Sequence, residues 1–313
     1  MNKLFKLVLL FLIIGFVGLY TSSKYYYERS MQATIAEIYL KVTKIRKWSS
    51  EEMETWLKER KEMEEEPYIL PEGIEAFAFS NMPVLNFNKE GKGELVIYIH
   101  GGTYLHHVDP FHIRFVKKLI EQTDAKVLLP VYPKAPKHDF KEAYEKVLEL
   151  YNKISKDSDV VLMGDSAGGG FVLGLAQELD RLKFKEAKSL IVMSPWVDLT
   201  MENLGIEKYQ KVDPWLNSKT ALPTAKAWAN GTDLKDPKLS PIYGNLKALK
   251  NLTIFTGTRD ILYPDIQVLA DKLKEENIDF EYIIGKNLNH VYPLFPIPEG
   301  QEAIDKIAKI LEK

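Results

Sequence analysis

Downstream of Pro71 the chain carries a series of short apolar runs, and these runs contain little polar alternation. Runs of this kind, rich in Val, Ile and Leu, predict strands that are covered on both faces, as strands of parallel sheets are. They lie at residues 93–100, 126–131, 159–164, 189–194, 252–257 and 280–285. One earlier stretch, "GIEAFAFS" at residues 73–80, alternates instead and predicts a half-buried strand.

Between and after these runs, apolar residues recur at the spacing of one helix face. One helix face is formed by Phe140, Ala143, Tyr144, Val147, Leu148 and Tyr151, and the last helix has Ile304, Ile307, Ala308 and Leu311 on one face. Strands that alternate with such helices predict an α/β fold with a mostly parallel central sheet flanked by helices. Two segments depart from this alternation of strands and helices. Residues 30–67 read as helix, and residues 198–250, with scattered prolines, read as an insertion over the edge of the sheet.

The N-terminus carries a hydrophobic run from Leu7 to Tyr20, with Lys3 and Lys6 before it and three tyrosines at residues 25–27 after it. The run has the length of a signal-peptide core and is shorter than the ~20 residues that span a bilayer comfortably. We expect residues 1–29 to be a signal or membrane anchor, with the protein exported and anchored at the outer face. The alternatives are secretion after cleavage and a buried N-terminal helix.

The net charge and the absence of cysteine argue against several classes of function. The 313 residues carry a formal net charge of −2, which argues against a nucleic-acid partner because no basic field is available to meet phosphates. The chain has no cysteine, so disulfides, thiolate metal sites and a cysteine nucleophile are excluded.

A serine lies between glycines in the sequence Gly164-Asp165-Ser166-Ala167-Gly168. The motif follows one predicted strand directly and precedes a predicted helix. Strand, G-x-S-x-G and helix is the context of a nucleophile elbow, in which the serine sits on a tight turn at the positive end of the helix dipole. The sequence therefore predicts Ser166 as a nucleophile and Asp165 as a support for the neighbouring backbone.

A second motif, His100-Gly101-Gly102-Thr103-Tyr104, ends another predicted strand. Acyl transfer needs N–H donors for the oxyanion, and a glycine loop beside an elbow supplies them together with the residue after the nucleophile, here Ala167.

Six histidines are available as the base. His290 follows the last predicted strand, at the sheet edge where open α/β sheets bind ligands, and is our candidate. The cluster His106, His107 and His112 lacks an accompanying carboxylate and cysteine set, so we predict no metal site. The acid should lie between nucleophile and base in chain order, and both Asp260 and Asp265 follow the strand that ends at Gly257. Asp265 follows Pro264 and suits the start of a helix, which favours Asp260.

Five stretches together resemble the hormone-sensitive-lipase-like branch of the α/β-hydrolase esterases. They are His100-Gly101-Gly102, "GDSAGGG", "SPWVDLT", "GTRDILYPD" and "NHVYPLF". The resemblance implies an α/β-hydrolase fold over residues 73–313, with a helical cap made of residues 30–72 and an insertion at about 199–240. It also implies a triad of Ser166, Asp260 and His290, with Gly101, Gly102 and Ala167 as oxyanion donors.

The activity implied by the resemblance is the hydrolysis of small carboxylic esters with short or medium acyl chains, without a cofactor. One departure is Thr103, which stands where the family has a third glycine and could narrow the pocket. Two alternatives remain: deacetylation of a cell-envelope polymer, which an exported N-terminus would suit, and a ligand-binding homologue without catalysis.

Overall fold

The computed structural model describes residues 3–43 and 48–312. Within these residues the strands are β1 Glu75–Phe79, β2 Met82–Phe87, β3 Leu95–Ile99, β4 Lys126–Pro130, β5 Val160–Asp165, β6 Ser189–Met193, β7 Leu252–Arg259 and β8 Phe280–Asn289. They form one sheet in the order β1-β2-β4-β3-β5-β6-β7-β8. β2 pairs antiparallel with β1 and β4, and the other neighbours pair parallel. The predicted mostly parallel sheet is confirmed.

The helices of the described residues are α1 Lys3–Thr21, α2 Met31–Thr43, α3 Ser50–Glu62, α4 Pro110–Thr123, α5 Phe140–Ser155, α6 Ser166–Leu182, α7 Ile206–Gln210, α8 Ser218–Ala229, α9 Tyr263–Glu275 and α10 Pro298–Leu311. Local sequence explains several of their starts. Ser49 and Glu52 form a capping box before α3, and Asp139 accepts N–H bonds at the start of α5. Asp109 does the same for α4, which begins with a proline.

The sheet separates two hydrophobic cores, and β3 shows how one strand supplies both. Ile97 and Ile99 join the core that α5 and α6 cover, whereas Val96 and Tyr98 join the core that α4 and α10 cover. Each parallel strand in the middle of the sheet is therefore buried on both faces, which is why its sequence shows no alternation.

Three segments differ in detail from the expectation. β2 was not predicted, because Pro83 and an irregular burial pattern obscure its periodicity. The helical stretch expected over residues 30–67 forms α2 and α3, and its residues 44–47 lie outside the described residues. The insertion at residues 198–250 contains α7 and α8. The proposed domain boundaries stay a prediction.

α1 coincides with the N-terminal hydrophobic run. Over residues 3–43 and 48–312, no helix combines the length and the apolar character needed to cross a membrane. Residues 1 and 2 of the expected signal or anchor, and residue 313, lie outside the described residues. Export and the outer-face location stay predictions.

Candidate active site

The structure brings the three predicted triad residues together at the carboxyl edge of the sheet. Ser166 follows β5 and Asp260 follows β7 directly, and His290 follows β8. Since these strands are parallel, their carboxyl ends lie at one edge, where α/β proteins place their ligand sites. All three side chains are buried, with 6% or less of each residue exposed.

Ser166 sits on a tight turn between β5 and α6. Its φ is 52°, in the left-handed region that non-glycine residues rarely adopt, and such outliers cluster at functional sites. The turn needs glycine at residue 168, since a Cβ there would overlap the carbonyl oxygen of Ile99. The N–H of Ala167 belongs to the first turn of α6, where backbone donors have no partner within the helix. This N–H is therefore available to an anion beside Ser166.

His290 joins the nucleophile candidate to the acid candidate. Its Nε2 lies 2.8 Å from Ser166 Oγ, and its Nδ1 lies 2.7 Å from Asp260 Oδ2. Burial lowers the pKa of His290, but the charge of Asp260 and the hydrogen bond between them outweigh burial and raise the pKa above its usual value. Asp213 and Asp165 act in the same direction. Asp260 is also fixed from the other side, because its Oδ1 accepts the N–H of Leu262.

The glycine loop after β3 requires a correction. The N–H of Gly101, expected to face an oxyanion, donates to Asp165 Oδ1 at 2.9 Å. The same oxygen accepts the Tyr98 hydroxyl at 2.8 Å, so Asp165 supports the loop backbone, as the sequence predicted. A carboxylate that already binds this donor would hold it away from a second anion. In this arrangement Gly101 is a structural residue and not a free donor.

Gly102 and Thr103 continue the loop into the pocket wall. Gly102 has φ of 104°, where an L side chain is strained, and Thr103 has φ of 55°. The Gly102 carbonyl oxygen accepts N–H bonds from Leu105 and His106 and the hydroxyl of Thr103, and these bonds hold the turn. The departure from a third glycine is thus accommodated by local hydrogen bonds.

The histidines near this loop have structural partners. The ring of His100 stacks on Tyr132 at 4.7 Å between centroids, with Nδ1 2.7 Å from the Gly101 carbonyl oxygen. His112 lies 2.9 Å from Asp109. Burial lowers the pKa of His112, but Asp165 and Asp109 raise it to about 10. In the described part of the chain, no three His, Asp or Glu side chains converge as a metal would require.

Asp213, which lies beside the triad, was not predicted from the sequence. Its Oδ1 accepts the N–H groups of Trp215 and Leu216, and its Oδ2 accepts the N–H of Ile261, the residue after Asp260. Burial and the charge of Asp260 raise the pKa of Asp213 to about 7. The ring of Trp215 meets the ring of His290 edge to face at 5.7 Å. The insertion therefore packs directly onto the acid and the base.

A pocket of about 930 Å³ opens over Ser166 and His290. Its walls come from residues 48–56, the glycine loop with the start of α4, Trp196, the insertion, and the segments that follow β7 and β8. α3 packs against α8 above this space. Aromatic side chains are prominent in the walls, namely Trp48, Trp56, Phe111, Trp196, Trp215 and Phe295. Such a lining suits the apolar part of a small organic substrate.

Comparison with known proteins agrees with this geometry. A family described by the alpha/beta hydrolase fold matches residues 96–294, more than half of the chain, and the chain belongs to that family. It is 25% identical over 224 residues to an esterase of Acinetobacter venetianus, covering 69% of this chain and 74% of that one.

Solved structures extend the likeness beyond the matched range. A Staphylococcus aureus protein provisionally assigned as an esterase shares 27% identity, with a TM-score of 0.78 over 86% of this chain and 95% of that one. An esterase of the bacterial hormone-sensitive lipase family shares 21% identity and the fold, with a TM-score of 0.75 over 90% of this chain and 98% of that one. The resemblance to α/β-hydrolase esterases found in the sequence is confirmed, and the protein is an esterase- or lipase-like hydrolase.

Proposed function

We propose that this protein hydrolyses carboxylic esters through an acyl-enzyme on Ser166. The observation that carries the proposal is the buried series Ser166, His290 and Asp260, joined by contacts of 2.8 and 2.7 Å at the floor of an aromatic pocket. His290 Nε2 takes the proton of Ser166 as Oγ attacks the acyl carbonyl carbon, and Asp260 stabilises the imidazolium. The tetrahedral intermediate collapses, the C–O bond to the alcohol breaks, and His290 returns the proton to the leaving oxygen. Water then repeats the sequence on the acyl-enzyme and releases the acid.

Three backbone N–H groups would hold the oxyanion, those of Gly102, Thr103 and Ala167. This set replaces Gly101 by Thr103, since the Gly101 N–H is bound to Asp165 while Gly102 and Thr103 line the pocket. Preorganised N–H donors of this kind each contribute about 3–4 kcal/mol to transition-state stabilisation.

The substrates we propose are small esters with short or medium acyl chains. The roof formed by α3 and the insertion acts as the cap in this proposal, and its tryptophans bound the space for the acyl chain and the alcohol. The Thr103 side chain adds bulk at the pocket wall beside Ser166, which favours the shorter chains.

A series of p-nitrophenyl esters, from acetate to palmitate, tests this function. We expect turnover with the highest kcat/KM among the short and medium chains, and mass spectrometry should detect an acyl group on Ser166 after rapid quenching. No turnover of any ester would identify the protein as a binding homologue. Faster release of acetate from an acetylated polysaccharide than from simple acetyl esters would assign the deacetylase alternative.

The pH dependence offers a test of Asp213. His290 must be neutral to act as base, so kcat/KM should rise with pH through the pKa of His290 in the free enzyme. The charge of Asp213 contributes to raising that pKa. Asp213→Asn removes the charge, lowers the pKa, and should move the acid limb of the kcat/KM profile to lower pH.

The control is Asp271→Asn, which changes an exposed carboxylate of α9 and should leave the profile in place. An acid limb that stays fixed, or moves to higher pH, in Asp213→Asn would show that Asp213 does not act on His290. Thermal unfolding of the variant should accompany the profile, because asparagine cannot offer all three acceptor contacts and should cost about 1–3 kcal/mol.

The N-terminal segment is proposed to contact a membrane. Apolar side chains of α1 are exposed on every side of the helix, including five consecutive ones at residues 10–14. Water is a poor solvent for such a helix, whereas the acyl region of a bilayer would surround it. A fluorescent probe at Phe16, in the experiment on α2 described below, tests this contact directly.

A further inference from the structure

α2 turns its apolar stripe outward. Ile35, Ile38, Tyr39 and Val42 recur at the spacing of one helix face, and each is between 47% and 58% exposed. The opposite face is buried, although it carries a hydroxyl and a carboxylate, and it consists of Ala33, Thr34, Glu37 and Leu40. A surface helix of a globular protein normally buries its apolar face and exposes its polar one. In α2 this arrangement is inverted.

Buried polar contacts fix the helix in this orientation. Glu37, 3% exposed, accepts hydrogen bonds from the guanidinium groups of Arg29 at 2.5 Å and Arg259 at 2.9 Å. Arg29 also donates to the Asn287 carbonyl oxygen at 2.7 Å. Rotating α2 to bury the apolar stripe would separate the carboxylate from both cations, and an unpaired buried charge is strongly unfavourable. The outward apolar face is therefore held in place by the body of the protein.

Three features near the exposed apolar face of α2 favour lipid as the surface that covers it. α1 contacts α2 and exposes apolar side chains on every side along residues 10–14, which a bilayer can cover and a single protein groove cannot. Tyr25 and Tyr26, between the two helices, are exposed as aromatic residues at a membrane interface are. Directly after α2 the sequence carries Lys44, Arg46 and Lys47, and three cations within four residues favour anionic headgroups.

We propose that α2 docks on an anionic lipid bilayer through Ile35, Ile38, Tyr39 and Val42. The proposal rests on the membrane contact of α1 proposed above and adds a second element to it. The geometry has a consequence for substrate access. Trp48, which lines the active-site pocket, follows the end of α2 by five residues in the sequence, and this closeness along the chain is our reason for proposing that docking of α2 also brings the pocket wall towards the lipid surface. Apolar esters dissolved in the bilayer are the substrates that this placement serves.

Because the chain has no cysteine, a single introduced cysteine can carry a polarity-sensitive fluorophore without background labelling. The full-length variants are Ile38→Cys on α2, Phe16→Cys on α1 and Val268→Cys on α9. Val268 is the matched control, since it is an aliphatic residue on a helix surface and is 42% exposed. Each labelled protein is mixed with vesicles of phosphatidylglycerol and phosphatidylcholine.

We expect the probes at 38 and 16 to shift to shorter wavelengths and to be quenched by lipids with brominated acyl chains, while the probe at 268 does neither. A shift at 16 without one at 38 would overturn docking by α2 and leave the α1 contact standing. No shift at either position would overturn both. A shift at 38 that depends on protein concentration without vesicles would mean that a second copy covers the face.

A charge-insertion pair measures the contribution of the face. Ile38→Glu should weaken partitioning into anionic vesicles on the order of tenfold or more, because the side chain no longer transfers from water to lipid. Val268→Glu should leave partitioning unchanged, and equal losses in the two variants would overturn the proposal. Hydrolysis of a water-soluble ester should be the same in both variants and the parent. If no variant hydrolyses esters but the vesicle results hold, the proposed function fails and the docking surface stands.

Discussion

Replacing Ser166 by alanine is expected to lower kcat for ester hydrolysis by about a million-fold, the loss typical of removing a triad nucleophile. Labelling by a fluorophosphonate should also disappear, since the reagent needs the activated hydroxyl. The fold should survive, because the contact that secures the turn is made by the Ser166 carbonyl oxygen, which accepts the N–H of Trp196 and is retained by alanine. Measuring kcat, labelling and the unfolding temperature on one preparation separates chemistry from folding.

Ser194 provides a matched control for this variant. Like Ser166, it is buried, follows a parallel strand of the sheet, and has a positive φ, here 45°. Its hydroxyl accepts the N–H of Val291, the residue after His290, at 3.0 Å. Ser194→Ala should keep fluorophosphonate labelling and lose about 1–3 kcal/mol of stability, since that N–H loses its acceptor. Labelling that persists in Ser166→Ala and vanishes in Ser194→Ala would assign the nucleophile to Ser194.

The sequence predicts a strand well when all residues of that segment are buried to a similar degree. β5 and β6 are buried along their whole length, so their sequences are apolar along their length and identify central parallel strands. β2 pairs antiparallel with both of its neighbours, the exposed edge strand β1 and the buried strand β4, and this mixed environment leaves no regular pattern. Periodicity reports a strand only where burial is uniform or strictly alternating.

The residues of the candidate site likewise fall into two groups: those that a motif reveals and those that only the tertiary structure reveals. Ser166, Asp260 and His290 each follow a strand, so motif, chain order and the helix-start signal at Pro264 select them as candidates. Asp213 has no such signal, because it lies in an irregular segment and reaches Ile261 only through the tertiary fold. The direction of the Gly101 N–H depends on the position of the Asp165 carboxylate, which comes from another strand. Contacts between distant segments of this kind are invisible in a short motif.

α2 shows a limit of amphipathic patterns. The spacing of its apolar residues predicts a helix, and a helix is observed. The same spacing would also lead one to turn Ile35 and Ile38 towards the core, and the structure does the opposite. The partners of Glu37 decide the orientation, and Arg259 lies 222 residues further along the chain. The spacing of apolar residues in the sequence therefore shows which residues share one helix face, while long-range contacts decide whether that face is buried or exposed.

The second large effect is expected at Asp260, and it distinguishes the two aspartates that follow β7. Asp260 is fully buried, and its Oδ2 lies 2.7 Å from His290 Nδ1. In the proposed mechanism this contact holds the tautomer that leaves Nε2 free to accept the serine proton. Asp260→Asn presents an amide that can favour the wrong tautomer and cannot stabilise the imidazolium. We expect kcat to fall by about ten-thousand-fold, with the fold retained. The measurement is kcat on one p-nitrophenyl ester, with unfolding temperature alongside.

Asp265→Asn is the matched control, five residues away in the first turn of α9. Asp265 is buried and accepts a hydrogen bond from Asn203 at 2.7 Å, not from His290. Burial raises its pKa to about 7, above the 3.8 expected when unfolded, so this group favours the folded state at low pH and costs stability as pH rises towards 7. Asparagine resembles the protonated carboxyl, so kcat should stay within a few-fold and stability above pH 7 should hold or rise. If Asp265→Asn were the inactive variant and Asp260→Asn the active one, the acid would be Asp265, and the contact between His290 and Asp260 would have no catalytic role.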